Sequence, residues 1–313
     1  MIYKIRNRLY RIALFRKAIY IIKHAKIPFF GGLPLFKLGK FFFNGLIEGF
    51  LTTRAAAIAF NFFLAIFPSI IFIFSLIPFV PIEGFQEELI TELLFIAPNI
   101  MDTIIEETLF DIIENKHSSL LSLGFILAMY FATNGINSML TALNMSYNSD
   151  KALHRSFISQ QLTAISLTLT IVVLLILSTG LTIFGGNLIS YVFDTILNLS
   201  DSNIFWINVA RWLIVTAFVY FSVAIIYYFG PKQRGKFFSP GASLTTVFLI
   251  IFTLGFAFYL ENFSTYNKLY GSIGTIMGIM LMFYFNSLAL LIGYELNAAI
   301  DHASTHVKLD EYK

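Results

Sequence analysis

The chain contains no cysteine, which excludes a disulfide, a thiolate nucleophile and a cysteine-ligated zinc site. Charge is also scarce. Asp, Glu, Lys and Arg make up 12% of the 313 residues, against roughly 25% in a soluble domain, so most of the surface does not face water. The net charge of +3 is too small to point to nucleic acid. There is no Walker A loop, no GxSxG elbow and no carboxylate cluster of two-metal spacing on the basic side. His302 and His306 stand four apart, but "HASTH" lacks the glutamate of the HExxH zinc motif. The pair is expected to face solvent in a polar tail. Neither catalysis nor a cofactor or metal site is expected. The opening stretch, MIYKIRNRLYRIALFRKAIY, is too charged and interrupted for a signal peptide.

What the chain has in abundance is apolar surface: 57% of residues are hydrophobic and 36 are Phe, with a mean hydropathy of +0.77. A helix needs about 20 apolar residues to cross the hydrocarbon core. Six windows qualify: Ala55–Phe79, Ser118–Leu143, Leu162–Gly186, Ile204–Phe229, Gly241–Leu260 and Gly271–Ala299. The expected fold is an all-α polytopic membrane protein of six spans. Orientation follows from Lys and Arg near the span ends. Eleven basic residues precede the first span against one acid, Glu48, whereas nine acids face Lys116 alone between spans one and two. Lys151 and Arg155 follow span two, and Lys232, Arg234 and Lys236 follow span four. Both termini are therefore expected in the cytoplasm.

Interfacial amphipathic helices are expected beside the spans. In Lys4–Lys23, Ile5, Leu9, Ile12, Phe15, Ile19 and Ile22 recur at three- and four-residue steps, with Lys and Arg opposite. A second such segment is Leu35–Phe50. Two more, Gly84–Ala97 and Ile100–Asn115, flank Pro98 in the first outer loop and cap the bundle. The organisation is thus a basic segment (1–54), a transmembrane domain (55–300) with an outer insertion (81–117), and a tail (301–313). Ser239-Pro240 fits an N-cap and first-turn pair opening span five, whereas Pro68 removes a backbone hydrogen bond inside span one.

The last span, "YGSIGTIMGIMLMFYFNSLALLIGYELNAAI", keeps Asn286, Glu295 and Asn297 in a run of apolar residues. At about 100° per residue, Asn286, Gly293 and Asn297 share one stripe. Gly271, Gly274, Gly278 and Gly293 offer small-residue surfaces for helix packing. Glu295 lies elsewhere on the helix, near its basic end and level with Arg54. Two readings stay open for it: an ion pair with Arg54 that closes this end, or two side chains reaching separately for headgroups and water. Asn61, Pro68, Asn134, Asn137, Asn286 and Asn297 are the transport-pathway candidates. Intramembrane amides and hydroxyls either glue helices together or line a polar path, and glue is the commoner role.

Four collinear blocks carry a resemblance: "AAAIAFNFFLAIFPSIIFIFSL", "GFILAMYFATNGINSMLTALNMSYN", "YYFGPKQRGKFFSPGASL" and "YNKLYGSIGTIMGIMLMFYFNSLALLIGYELNAAI". Together they resemble the YihY/BrkB family of bacterial inner-membrane proteins, from Phe41 to Ala299. Asn61, Ala65 and Tyr294 depart from residues common there. The resemblance implies a bacterial inner-membrane location and six spans. It brings an old ribonuclease label, unsupported by these residues, and links to serum resistance or envelope lipid export. By that analogy the expected function is a transporter or translocator of a lipid or other envelope component, without its own ATPase. A small-solute or ion transporter and a non-transporting scaffold are the alternatives. Membrane lipids are the expected partners and nucleic acid is not; homo-oligomerisation and protein partners stay open.

Overall fold

The computed structural model describes residues 35–79, 115, 117–146, 156–191, 203–232, 235–262 and 272–311. The segment Lys4–Lys23, Gly271 and, apart from Asn115, the outer-loop segments lie outside the described residues. Every regular element among the described residues is helical. In hydrocarbon no water is present to satisfy backbone N–H and C=O groups, so a helix that bonds itself is the available solution. A short α1 (Leu35–Glu48) leads into α2 (Leu51–Leu76), which ends in a single 3-10 turn, Ile77–Phe79. Then come α3 (Ser118–Asn144), α4 (Phe157–Tyr191), α5 (Asn203–Phe229), α6 (Pro240–Asn262) and α7 (Ser272–Glu311).

Helices α2 to α7 supply six segments long and apolar enough to cross a membrane. They form a closed ring. Each packs on its neighbours in sequence, and α7 returns to pack on α2. The lipid-facing side is apolar, with Phe60, Ile73, Ile126, Ile176 and Phe258 each more than half exposed. Burial inside the ring is uneven. The apolar core draws on all six spans, through residues such as Ile58, Leu140, Ala164, Tyr227, Ala242 and Leu291. All of these lie towards the end of the bundle where Arg54, Asn144, Phe157, Phe229 and Pro240 meet. We call this the basic end.

Several local choices in the sequence explain this packing. Pro240 opens α6, and the Ser239 hydroxyl accepts the Ala242 N–H at 3.3 Å, the expected N-cap. Pro68 sits buried within α2, where it cannot donate to the carbonyl four residues earlier. The neighbouring Ser69 hydroxyl bonds the Ala65 carbonyl at 2.7 Å. Gly124 lets α3 approach α2 so closely that a Cβ there would lie 3.0 Å from the Phe72 backbone nitrogen. Gly293 does the same for α7 against α6: a Cβ would strike the Thr245 hydroxyl and lie 2.9 Å from the Tyr227 hydroxyl. Between lipid-surrounded helices, such close contact replaces the hydrophobic effect as the force for association.

The last helix differs from its sequence expectation. It runs unbroken through the polar tail to Glu311, forty residues in all, about 60 Å at 1.5 Å per residue. A hydrocarbon core of about 30 Å leaves its C-terminal part outside the bilayer. There α1 packs on it, with Phe41 edge-on to His302 at 4.9 Å between ring centres. His302 is half-buried, not the solvent-facing group its polar surroundings imply, because α1 covers it. The His306 side chain lies outside the described residues.

Two of the α7 glycines make a test. Gly278 has room, since a Cβ would stand 3.4 Å from Phe256. Overpacking a tight contact costs about 1–3 kcal/mol. Gly293→Ala should therefore lower the thermal midpoint of the detergent-solubilised protein by several degrees, and Gly278→Ala should leave it nearly unchanged. Equal effects would show that Gly293 is not the critical approach.

Candidate functional site: a buried ion pair and a hydroxyl-lined groove

Arg54 stands one turn into α2 and Glu295 near the basic end of α7, 241 residues apart in sequence. Their side chains meet there. Arg54 Nη2 and Nη1 lie 3.1 and 3.2 Å from Glu295 Oε1. Glu295 is fully buried and Arg54 only 8% exposed. The second carboxylate oxygen accepts the Ser146 hydroxyl at 2.7 Å, just past the end of α3. Arg54 Nη1 also donates to the carbonyls of Gly49, at 2.8 Å, and Met145, at 3.3 Å. One cluster thus joins α2, α3, α7 and the linker from α1. Of the two readings open for this pair, the structure has the ion pair, sealed away from headgroups and water.

Two residues further on, Asn297 faces a different helix. Its Oδ1 accepts the Gly241 N–H at 2.8 Å and its Nδ2 donates to the Ser239 hydroxyl at 2.9 Å. It thereby satisfies one of the orphan N–H groups at the start of α6. Beside it the Tyr227 hydroxyl of α5 donates to the Leu290 carbonyl and lies 2.6 Å from the Thr245 hydroxyl. Tyr294 packs edge-on to Tyr227 at 5.6 Å. The short run Tyr294-Glu295-Leu296-Asn297 therefore reaches α2, α3, α5 and α6 at once.

The other amides occupy separate places. Asn61 of α2 donates to the Ala57 carbonyl and to Ser138 of α3, both at 2.9 Å. Asn137 of α3 accepts Gln160 of α4 at 2.7 Å and donates to Gln161 at 3.4 Å, while Gln160 also reaches Thr141. Asn134 is half-buried. Asn286 keeps a buried Oδ1 that accepts no hydrogen bond. Asn61, Asn137 and Asn297 sit on three different helix contacts.

A polar surface appears elsewhere. Between α4 and α5, at the basic end, lies a groove of about 800 Å3. Ser156, Ser159, Thr163, Ser166 and Thr170 line it together with Leu162, Ile225 and Phe229. Three- and four-residue steps put the five hydroxyls on one helical face. Ser156, Ser159, Ser166 and Thr170 are exposed, so the groove opens outward rather than into the core. From Ser156 to Thr170 the face extends about 21 Å at 1.5 Å per residue, more than half the thickness of a core of about 30 Å. Thr163 and Thr170 donate to the carbonyls of Ser159 and Ser166, each at 2.8 Å. Their oxygens keep lone pairs that can accept from a ligand. Among the described residues, no three His, Asp or Glu side chains gather as a metal site.

The family model described as "Virulence factor BrkB" matches residues 42–312, which include the Arg54–Glu295 cluster, the Asn297 cap and the α4 hydroxyl face. The chain belongs to the BrkB family. Its relatives include a Bacillus subtilis (strain 168) protein, YfkH, whose name calls it ribonuclease-like; it is 29% identical over 79% of this chain and 89% of its own length. The UPF0761 membrane protein NTHI0384 of Haemophilus influenzae (strain 86-028NP) is 23% identical over 88% of this chain and 99% of its own. The UPF0761 membrane protein XAC0937 of Xanthomonas axonopodis pv. citri (strain 306) is 30% identical, but over 30% of this chain and 23% of its own length. No solved structure matches.

In this BrkB-family member the sequence expectation rested on amides rather than on the groove's hydroxyls. Their signal is present in "SFISQQLTAISLTLT", where hydroxyls recur at helical spacing. Ser146 was also missed, since it lies beyond the apolar window of α3. The ion pair itself yields a prediction. Removing one partner strands a buried charge, at a cost of about 3–5 kcal/mol, whereas apolar replacement of both is often tolerated. Glu295→Leu and Arg54→Met alone should each lower thermal stability clearly, and the double variant should recover most of the loss. A double variant as unstable as the sum of the singles would show that the two charges do not act as a pair.

Proposed function

We propose that this BrkB-family membrane protein is a translocator of an amphipathic, lipid-class substrate, moved along the α4–α5 groove. The observation that carries the reading is the hydroxyl face of α4, which runs about 21 Å along the helix from its basic end and opens sideways. A headgroup could follow that face while its acyl chains stay among the lipids beside Leu162 and Phe229. Hydroxyls already donating to their own helix favour headgroups that bring donors, such as an ammonium or a polyol. With the core concentrated at the basic end, the Arg54–Glu295 cluster serves in this reading as the closure of the ring there. Asn286, with its unsatisfied buried oxygen, remains a pathway candidate on α7. In this reading the basic end and both termini lie in the cytoplasm of a bacterial inner membrane, which the excess of Lys and Arg near that end supports. No catalytic step is involved, and the ribonuclease-like name of YfkH is not carried over, because nuclease chemistry needs metal-binding carboxylates or a histidine pair in water.

Reconstitution tests this directly. In vesicles holding a headgroup-labelled phosphatidylethanolamine, an impermeant quencher should reach the inner-leaflet pool faster with the protein than without it. Replacing Ser159, Thr163 and Ser166 together by Leu should remove most of that gain, whereas Thr253→Val, outside the groove, should keep it. Wild-type vesicles no faster than empty ones would sink the reading for this lipid. Loss on Asn286→Leu with the α4 variant intact would move the path to α7.

A further inference from the structure

Helix α1 has two opposed faces, and neither belongs to the groove. On one side Leu38 and Gly45 are buried, and Phe41 meets His302 of α7. On the other, Phe43 and Ile47 are 60% and 79% exposed, and Phe50, just beyond the helix, is 77% exposed. A step of four residues holds Phe43 and Ile47 within about 40° of one another on α1. Lys40 is exposed on the same side.

The surroundings say what covers this face. Only Gly49 and Phe50 separate α1 from α2, a membrane-crossing helix. The Ile47–Phe50 end of the face is therefore tethered beside a membrane-crossing helix. Bulky apolar side chains beside a lysine suit the boundary between headgroups and acyl chains, where the lysine stem lies along lipid and its ammonium reaches an anionic headgroup.

The joint between α1 and α2 is tied to the buried ion pair. Phe50 adopts a left-handed backbone, φ 48°, which is unusual for a residue with a side chain. The Gly49 carbonyl before it accepts Arg54 Nη1, the same nitrogen that faces Glu295 Oε1. Gly49 also donates its N–H to the Gly45 carbonyl at 3.0 Å. Swinging α1 moves the Gly49 carbonyl and so disturbs the guanidinium that holds Glu295.

We propose that α1 is a bilayer-seated lever: lipid holds its Phe43–Ile47–Phe50 face, and through Gly49 its position sets whether Arg54 and Glu295 stay paired.

Because the chain lacks cysteine, single introduced cysteines report cleanly. The full-length chain with Ile47→Cys, nitroxide-labelled in nanodiscs of phosphatidylglycerol and phosphatidylethanolamine, should collide more with oxygen than with a water-soluble nickel chelate. A chelate preference would mean a solvent-facing helix, and spin–spin broadening lost on dilution with unlabelled chain would mean a second copy there; either overturns the proposal. The lever is read with Leu143→Cys, a fully buried position three residues before Ser146. Adding Phe43→Asp and Ile47→Asp should speed its modification by a charged maleimide at least tenfold, while Phe43→Leu with Ile47→Leu should not change it. An unchanged rate in the Asp variant overturns the coupling. Should that variant fail to stay monodisperse, the Leu143→Cys chain itself decides. Its modification should slow at least threefold as phosphatidylglycerol replaces phosphatidylcholine, and a rate independent of lipid overturns the lever.

Discussion

A carboxylate and a guanidinium enclosed where water cannot reach must satisfy each other, and that constraint organises the basic end of this molecule. Glu295 has no solvent to fall back on, so its two oxygens are met by Arg54 and by Ser146. Arg54 in turn satisfies backbone carbonyls that helix ends leave open. Each partner comes from a different helix, so the pair can exist only when α2, α3 and α7 are assembled in register. In a buried pair desolvation offsets much of the attraction, whereas breaking it leaves a charge stranded. Such a pair specifies one arrangement more than it strengthens it.

The neighbouring contacts extend the same logic around the ring. Asn297 completes the first turn of α6, and Tyr227 links α5 to a carbonyl of α7. These bonds demand close helix approach, which Gly293 makes possible by having no side chain in the way. The glycine and the polar groups are therefore one device: the gap admits the hydroxyls, and the hydroxyls hold the gap closed. Away from this end, contacts such as Phe62 stacked on Phe283 are made by rings rather than by hydrogen bonds.

Against that tightly bonded end, the α4–α5 groove stands out as polar surface left open to the side. Its hydroxyls are bonded to their own helix at Thr163 and Thr170, so exposure to hydrocarbon costs little, yet their oxygens remain able to accept. A polar face that neither packs against another helix nor disrupts its own is the kind of surface a headgroup can use without prying helices apart. The amides of Asn61 and Asn137, by contrast, are occupied in joining α2 to α3 and α3 to α4.

Much of this was legible from the residues alone. Six spans, an apolar exterior and the Ser239-Pro240 start of α6 follow from hydropathy and local capping, because solvent preference and chain stiffness act on each segment independently of the rest. That Arg54 and Glu295 lie at the same level also follows from counting turns. Their pairing did not follow, nor did the place of Ser146, the target of Asn297, or the half-burial of His302 beneath α1. Each depends on which way a helix is rotated and how near a sequence-distant helix stands. Only close packing sets those quantities: shifting α6 or α7 by one residue would leave every hydropathy window intact and break the Asn297–Gly241 bond. By itself the sequence determined which solvent each segment occupies; the tertiary structure alone decided which polar groups meet within it.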